Sequence, residues 1–179
     1  MRFPRVMAVM ASVLAVAMSP GGLAADPDED DVPPFARRID LSGPRFGVSL
    51  LSPGIVDRIA SESDQQVGTV VTQFGWQFEK RFGSGGGKGL TGVTEWILLV
   101  GGMEHNAFLP SINWLVGLRT RSGTEFGAGP NISPAGTAIV LAAGKTFRAG
   151  ALNLPVNLAL VPSASGVRLT LLCGFNTRR

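Results

Sequence analysis

The stretch from Thr69 to Phe82 alternates strictly between two kinds of side chain over fourteen residues. One phase is mainly apolar and aromatic: Val70, Thr72, Phe74, Trp76, Phe78, Lys80 and Phe82. The other phase is mainly small and polar: Thr69, Val71, Gln73, Gly75, Gln77, Glu79 and Arg81. Because successive side chains of a strand point to opposite faces, this pattern predicts a strand with one aromatic and one polar face. It is longer than an ordinary strand and long enough for the roughly 9–11 residues that cross a bilayer.

Similar alternation recurs along the chain between glycine- and serine-containing turns, which is typical of all-β folds. The predicted strands cover 43–52, 67–82, 91–103, 110–121, 124–132, 136–148, 151–161 and 166–176. A helix-like segment at 54–61 follows the first strand, and the glycine run 83–89 is predicted to be a flexible turn. The pattern therefore predicts an eight-stranded antiparallel up-and-down β-barrel with a short helical segment after strand 1.

The chain divides into three predicted regions. Residues 1–25 combine an early basic region, an apolar run and small residues up to Ala25, which predicts a secretory signal peptide. Residues 26–42 form an acidic, proline-containing segment that we expect to be disordered. Residues 43–179 form the predicted barrel domain.

Composition favours a membrane location for this barrel. The chain is 45% hydrophobic and only 16% charged, against about 25% charged in typical soluble domains. It has no run of 18 apolar residues, and a closed barrel is the other structure that can span a bilayer. The single cysteine, Cys173, allows no internal disulfide.

The direction of the polar face separates a membrane barrel from a soluble one. The polar face combines many glycines with glutamine, asparagine, glutamate and arginine, which suits a narrow filled lumen better than a solvated surface. We therefore predict an interior polar network comprising Gln73, Gln77, Glu79, Glu95, Asn113, Arg119, Glu125 and Arg168. Within it, we expect ion pairs of Glu79, Glu95 and Glu125 with Arg119, Arg121 and Arg168.

Aromatic residues of the apolar phase collect toward the end of the barrel where the chain enters. The predicted aromatic girdle comprises Phe46, Phe78, Phe82, Trp96, Phe126, Phe147 and Phe175. The same end carries the basic residues Arg45, Lys80, Arg81, Lys88, Arg119, Arg121, Arg148, Arg178 and Arg179. An aromatic belt with basic neighbours is typical of a membrane interface, which predicts outer-membrane lipids as partners.

In alternation and hairpin order, residues 43–176 resemble the small eight-stranded outer-membrane β-barrels of Gram-negative bacteria. The segments 72–79, 127–131 and 153–158 are similar to those of an uncharacterised branch of that class. The resemblance implies a location in the outer membrane after secretion. Because the class includes structural anchors, adhesion or resistance proteins and lipid-modifying enzymes, it assigns no functional residue.

The sequence favours a non-enzymatic barrel of structural or surface type, a monomer with a packed lumen and no cofactor. Two alternatives remain: a secreted soluble barrel that carries a hydrophobic ligand, and a lipid-modifying barrel enzyme that uses His105 and Ser111 as base and nucleophile. His105 is the only histidine and Cys173 the only cysteine, which argues against a zinc site. No nucleic-acid signature is present, because the basic residues lack neighbouring aromatics free to stack bases.

Overall fold

The computed structural model describes residues 41–84 and 90–177. The predicted signal peptide, residues 26–40 of the acidic segment and residues 85–89 of the glycine run lie outside the described residues. Leu41 and Ser42, which the sequence assigned to the disordered segment, belong to the barrel instead. Leu41 is fully buried, and Ser42 Oγ accepts a hydrogen bond of 2.9 Å from the Glu79 backbone N–H. The predicted boundary at Gly43 was therefore two residues too late.

Eight antiparallel strands close into a barrel, which confirms the predicted fold class. The strands are β1 (Gly43–Leu51), β2 (Val70–Ser84), β3 (Leu90–Gly101), β4 (Leu109–Thr120), β5 (Thr124–Ser133), β6 (Gly136–Ala149), β7 (Leu152–Ser163) and β8 (Gly166–Gly174). Each strand pairs with its neighbours in sequence, and β1 pairs with β8 to complete the ring. A two-residue strand, β9 (Asn176–Thr177), follows β8 and pairs with β7.

The register of the paired strands is staggered around the ring. A path that starts at Lys80 and follows successive hydrogen-bonded partners through all eight strands returns to β2 at Val70. The shear is therefore ten residues, which tilts the strands by roughly 40° from the barrel axis. A strand of 12 residues, such as β3, β4 or β7, then rises about 30 Å along that axis.

The barrel has a polar interior and an apolar exterior. Polar and charged side chains such as Gln77, Glu95 and Arg119 are buried in the lumen at 1%, 5% and 4% exposure. On the same strands, Phe78 and Leu118 point outward and are more than half exposed. This orientation follows from the alternation of the sequence, since every second residue of a strand faces the same side.

Glycine in the left-handed region closes the β4–β5 hairpin at the predicted turn. Gly123 has φ +81°, and its N–H donates to the Thr120 carbonyl at 3.0 Å. A side chain at this position would strain the turn, because L residues rarely adopt such a φ.

One helix, α1 (Pro53–Ser63), covers the barrel mouth opposite the chain ends, which confirms the predicted helical segment at 54–61. Its proline occupies a first-turn position that suits a residue without an N–H. Four residues apart, Ile55 and Ile59 share one face and pack into a core formed by Leu51, Ile55, Ile59, Val71, Ala107 and Leu109.

A 3₁₀ turn at Met103–His105 lies between β3 and β4 at the same mouth. In the described part of the chain, no helix is long and apolar enough to cross a membrane.

Candidate functional site

The lumen contains all eight residues of the predicted interior network. They are buried at 8% exposure or less: Gln73, Gln77, Glu79, Glu95, Asn113, Arg119, Glu125 and Arg168. They form two polar layers rather than one network, separated along the barrel axis by a layer of apolar side chains. The separating layer comprises Ile97, Leu99, Leu115, Val140, Val161 and Leu172.

The polar layer nearer the chain ends is centred on Arg119. Its guanidinium donates two hydrogen bonds of 2.6 Å to the Glu79 carboxylate and one of 2.8 Å to Glu125. Glu95 lies 3.3 Å from the same guanidinium. The register explains the grouping, because Glu79 faces Glu95 and Arg119 faces Glu125 across adjacent strand pairs. The guanidinium thus bridges carboxylates that would otherwise repel each other.

Arg45 lies at the barrel end where the sequence predicts it among other basic residues, but it points into the lumen. It is 1% exposed, and its guanidinium donates to Gln77 Oε1 at 2.9 Å and to the Leu41 carbonyl at 2.6 Å. The signal that could have found it is its phase in β1, since Arg45 alternates with the outward Phe46.

The polar layer nearer α1 consists mainly of uncharged side chains. Asn131 Nδ2 donates to Asn113 Oδ1 at 2.7 Å and to Ser111 Oγ at 2.9 Å, while Arg168 Nη2 donates to Asn131 Oδ1 at 2.7 Å. On the facing strands, Ser49 Oγ donates to Gln73 Oε1 at 3.1 Å and is bonded to Thr170. The predicted interior network did not include four of these residues, although all lie on the inward phase of their strands: Ser111, Asn131, Ser49 and Thr170.

The predicted ion pairs are correct only for Arg119. Arg121 is exposed in the turn just after β4, beyond the level of the carboxylates, because the strand ends at Thr120. Arg168 lies in the other polar layer and bonds to Asn131 rather than to a glutamate. The alternation along a strand predicts whether a side chain faces inward, but its position along the barrel axis relative to other strands depends on the shear.

Three cavities in the lumen have volumes of about 10, 20 and 20 Å³, each close to the space that one water needs. Asn157 Oδ1 is buried without a hydrogen-bond partner and lines the smallest of them. Among the described residues, the lumen is therefore filled by side chains and small voids.

The outer surface carries the predicted girdle residues. Six of them are about half exposed or more: Phe46, Phe78, Phe82, Phe126, Phe147 and Phe175. The seventh, Trp96, is partly covered because it stacks on Trp114 with ring centroids 5.6 Å apart. The outward Phe74, Trp76 and Trp114 were not part of the predicted girdle. Because Phe46 also lies in the middle of β1, the aromatic surface extends from the barrel end to mid-height.

Polar groups on the outer surface are few. In the described strands β1–β8, the only outward-facing charged residues are Lys80 and Lys145, both near the end that holds the chain termini. Trp114 donates its indole N–H to Thr94 Oγ1 at 2.9 Å. On β2, no charge faces outward from Val70 to Phe78, a rise of roughly 20 Å along the axis.

His105 and Ser111, the pair considered for catalysis, have separate surroundings. Ser111 is 3% exposed inside the lumen and accepts a hydrogen bond from Asn131. His105 lies on the rim, with Nε2 3.0 Å from the Val70 carbonyl and 3.8 Å from Glu104. The structure therefore does not assemble them into a nucleophile and base.

Glu104 fastens the 3₁₀ turn to β2. Its carboxylate accepts hydrogen bonds from the Thr72 N–H at 2.6 Å and from Thr72 Oγ1 at 2.5 Å. Slight burial disfavours the charged carboxylate, but the hydrogen bonds from Thr72 outweigh it and lower the pKa of Glu104. In the described part of the chain, no group of His, Cys, Asp and Glu side chains is arranged to hold a metal ion.

Comparison with known proteins gave no matching family model, no similar curated protein and no similar solved structure. The resemblance to outer-membrane barrels therefore stays a prediction from the sequence pattern.

Proposed function

We propose that the protein is a non-enzymatic β-barrel of the Gram-negative outer membrane, of structural or surface type. The observation that carries the proposal is the inverted distribution of polar and apolar side chains. Among the described residues, 24 large hydrophobic side chains are exposed, against 15 buried hydrophobic residues. Exposure of such a side chain to water is unfavourable, and its transfer into lipid is favourable by roughly 1.5–3 kcal/mol.

The dimensions of the outer surface support the same proposal. Outer-membrane barrels present an apolar band about 25 Å tall, with aromatic residues at its edges. Here the outward charges Lys80 and Lys145 lie beside Phe82 and Phe147 at one end, and the uncharged surface begins beyond them. Long lysine side chains at this level can reach headgroups while their stems remain in the apolar region.

The two alternatives receive less support from the geometry. A carrier of a hydrophobic ligand needs an apolar cavity of roughly 300 Å³ or more, whereas the lumen cavities described hold about one water each. A lipid-modifying enzyme would need His105 and Ser111 in contact at a rim that opens toward lipid, and Ser111 is buried in the lumen.

Fractionation of the expressing cells tests the location. We expect the protein in the outer-membrane fraction, extracted as a monomer by detergent and precipitating when the detergent is removed. Recovery as a soluble monomer without detergent would contradict the proposal.

The non-enzymatic part has a separate test. Lipid composition should be the same in cells that express the wild type and in cells that express His105→Ala. A change in lipid acylation that depends on His105 would overturn this part and leave the location intact.

A further inference from the structure

Arg168 is a buried cation without a counter-charge. It is 8% exposed and extends from β8 into the polar layer beneath α1. Its one hydrogen bond joins Nη2 to the neutral Oδ1 of Asn131 at 2.7 Å. In residues 41–84 and 90–177, no carboxylate forms an ion pair with it.

The lumen carboxylates are committed elsewhere. Glu79, Glu95 and Glu125 all bind Arg119 in the other polar layer, on the far side of the apolar layer. Arginine keeps its proton in proteins, so the charge of Arg168 persists. A buried charge without a partner is unfavourable by several kcal/mol, which makes a bound anion the natural complement.

Three residues around the cavities, Arg168, Ser111 and Gln73, each keep a hydrogen-bond donor that no acceptor among the described residues takes up. Ser111 Oγ accepts from Asn131, which leaves its own O–H free to donate. Gln73 Oε1 accepts from Ser49, and the Gln73 amide nitrogen forms no hydrogen bond with another described residue. Arg168 likewise has N–H groups beyond the one that bonds to Asn131.

These three residues share their surroundings. Arg168, Ser111 and Gln73 line both of the cavities of about 20 Å³, one facing the apolar layer and one facing α1. Ile59 of α1 is one of the residues that line the second cavity. A volume of this size accommodates a water or a single monatomic ion and leaves no room for a sulfate or a phosphate.

We infer that Arg168, Ser111 and Gln73 bind a chloride-sized monovalent anion inside the lumen, beneath α1. The anion accepts hydrogen bonds from the guanidinium, the serine hydroxyl and the glutamine amide, and it neutralises the charge of Arg168. The site does not depend on where the barrel resides, so it can be tested separately from the proposed location.

Thermal unfolding of the purified full chain in detergent tests the site. The midpoint should rise with sodium chloride concentration and stay flat in sodium gluconate at the same ionic strength, because gluconate is too large for the cavity. Arg168→Met should weaken the apparent chloride affinity on the order of tenfold or more, the loss expected for a hydrogen bond to a charged group.

Two further variants keep the test informative if Arg168→Met fails to fold. Asn131→Asp places a carboxylate at the atom that already bonds to Arg168, so it should fold and lose the chloride dependence. Arg148→Gln removes an exposed arginine at the opposite end of the lumen and should retain the full chloride dependence.

Crystals grown in sodium bromide locate the ion directly. We expect an anomalous peak within hydrogen-bond distance of the Arg168 guanidinium in the wild type and none there in Asn131→Asp. Equal midpoints in chloride and gluconate, or a crystal with only water beside Arg168, would overturn the inference. So would a chloride dependence that survives in both Arg168→Met and Asn131→Asp, because it would then arise elsewhere.

Discussion

Replacing Arg119 with methionine removes the one guanidinium that joins three buried carboxylates. Glu79, Glu95 and Glu125 lie 2.6, 3.3 and 2.7 Å from Arg119 Nη2, and each is 8% exposed or less. Methionine keeps most of the side-chain volume, so the perturbation is mainly the loss of charge and hydrogen bonds. The three carboxylates then face one another in the lumen.

The expected loss in the free energy of unfolding is large. Removing one partner of a buried ion pair typically costs about 3–5 kcal/mol, because the other charge is left uncompensated. Here one arginine serves three acids, so Arg119→Met should lose at least about 4 kcal/mol of a stability that is typically about 5–15 kcal/mol. Arg119→Lys should lose less, since lysine keeps the charge but not the two-pronged hydrogen bonding to Glu79.

Urea unfolding in detergent, followed by the fluorescence of the three tryptophans, measures these losses. Arg121→Met is the matched control, because it removes an exposed arginine from the turn just after the same strand and should stay within about 0.5 kcal/mol of the wild type. Adding Glu79→Gln and Glu125→Gln to Arg119→Met should recover much of the lost stability. A loss below about 1 kcal/mol for Arg119→Met would refute the burial of this cluster.

Three further predictions concern the outer face, α1 and the rim. Leu158 is half exposed at mid-height, so Leu158→Arg should lower the free energy of unfolding in lipid by about 2–4 kcal/mol, measured by urea titration. Leu152→Arg, at the strand end, should lower it by only about 0–1 kcal/mol. Equal losses would contradict the outward direction of these side chains. Ile59→Ala should cost about 2–5 kcal/mol by the same titration, since this side chain is 4% exposed in the α1 core; an unchanged midpoint would place α1 away from the barrel. The Thr72 amide resonance should titrate with Glu104 below the usual pKa of glutamate, because stabilisation by the charged Glu104 is present at neutral pH and is lost as the pH falls through the lowered pKa. Glu104→Gln should abolish this titration, and a midpoint at or above the usual glutamate value would contradict the prediction.

The fold was predictable because strand alternation and turn residues are local properties of the sequence. The strand predicted at 110–121 is Leu109–Thr120, and the one predicted at 124–132 is Thr124–Ser133. The division of each strand into a polar and an apolar face was also readable, since the two phases of the strand near Trp76 differ so strongly in polarity. When consecutive long strands are joined by short turns, few barrel topologies other than the up-and-down order are possible.

The arrangement within the lumen could not be predicted, because it depends on the stagger between distant strands. Arg119 and Arg168 are both inward arginines, and nothing local distinguishes them. The shear of ten residues places Arg119 level with the glutamates and Arg168 beneath α1. The burial of Arg45 is different, because its inward phase beside the outward Phe46 was readable from the sequence of β1.

The polar side chains of the lumen favour one pairing register of the strands over others, which the apolar outer face cannot do. Sliding one strand by two residues keeps every side chain on its own side, and an apolar outer surface of leucine and phenylalanine would tolerate that shift. The lumen would not, because a two-residue slip of β2 would carry Glu79 away from Arg119, and a slip of β5 would do the same to Glu125. Each slip would bury a carboxylate without a partner at a cost of several kcal/mol. The ion pairs therefore select the register, which the apolar outer surface leaves open.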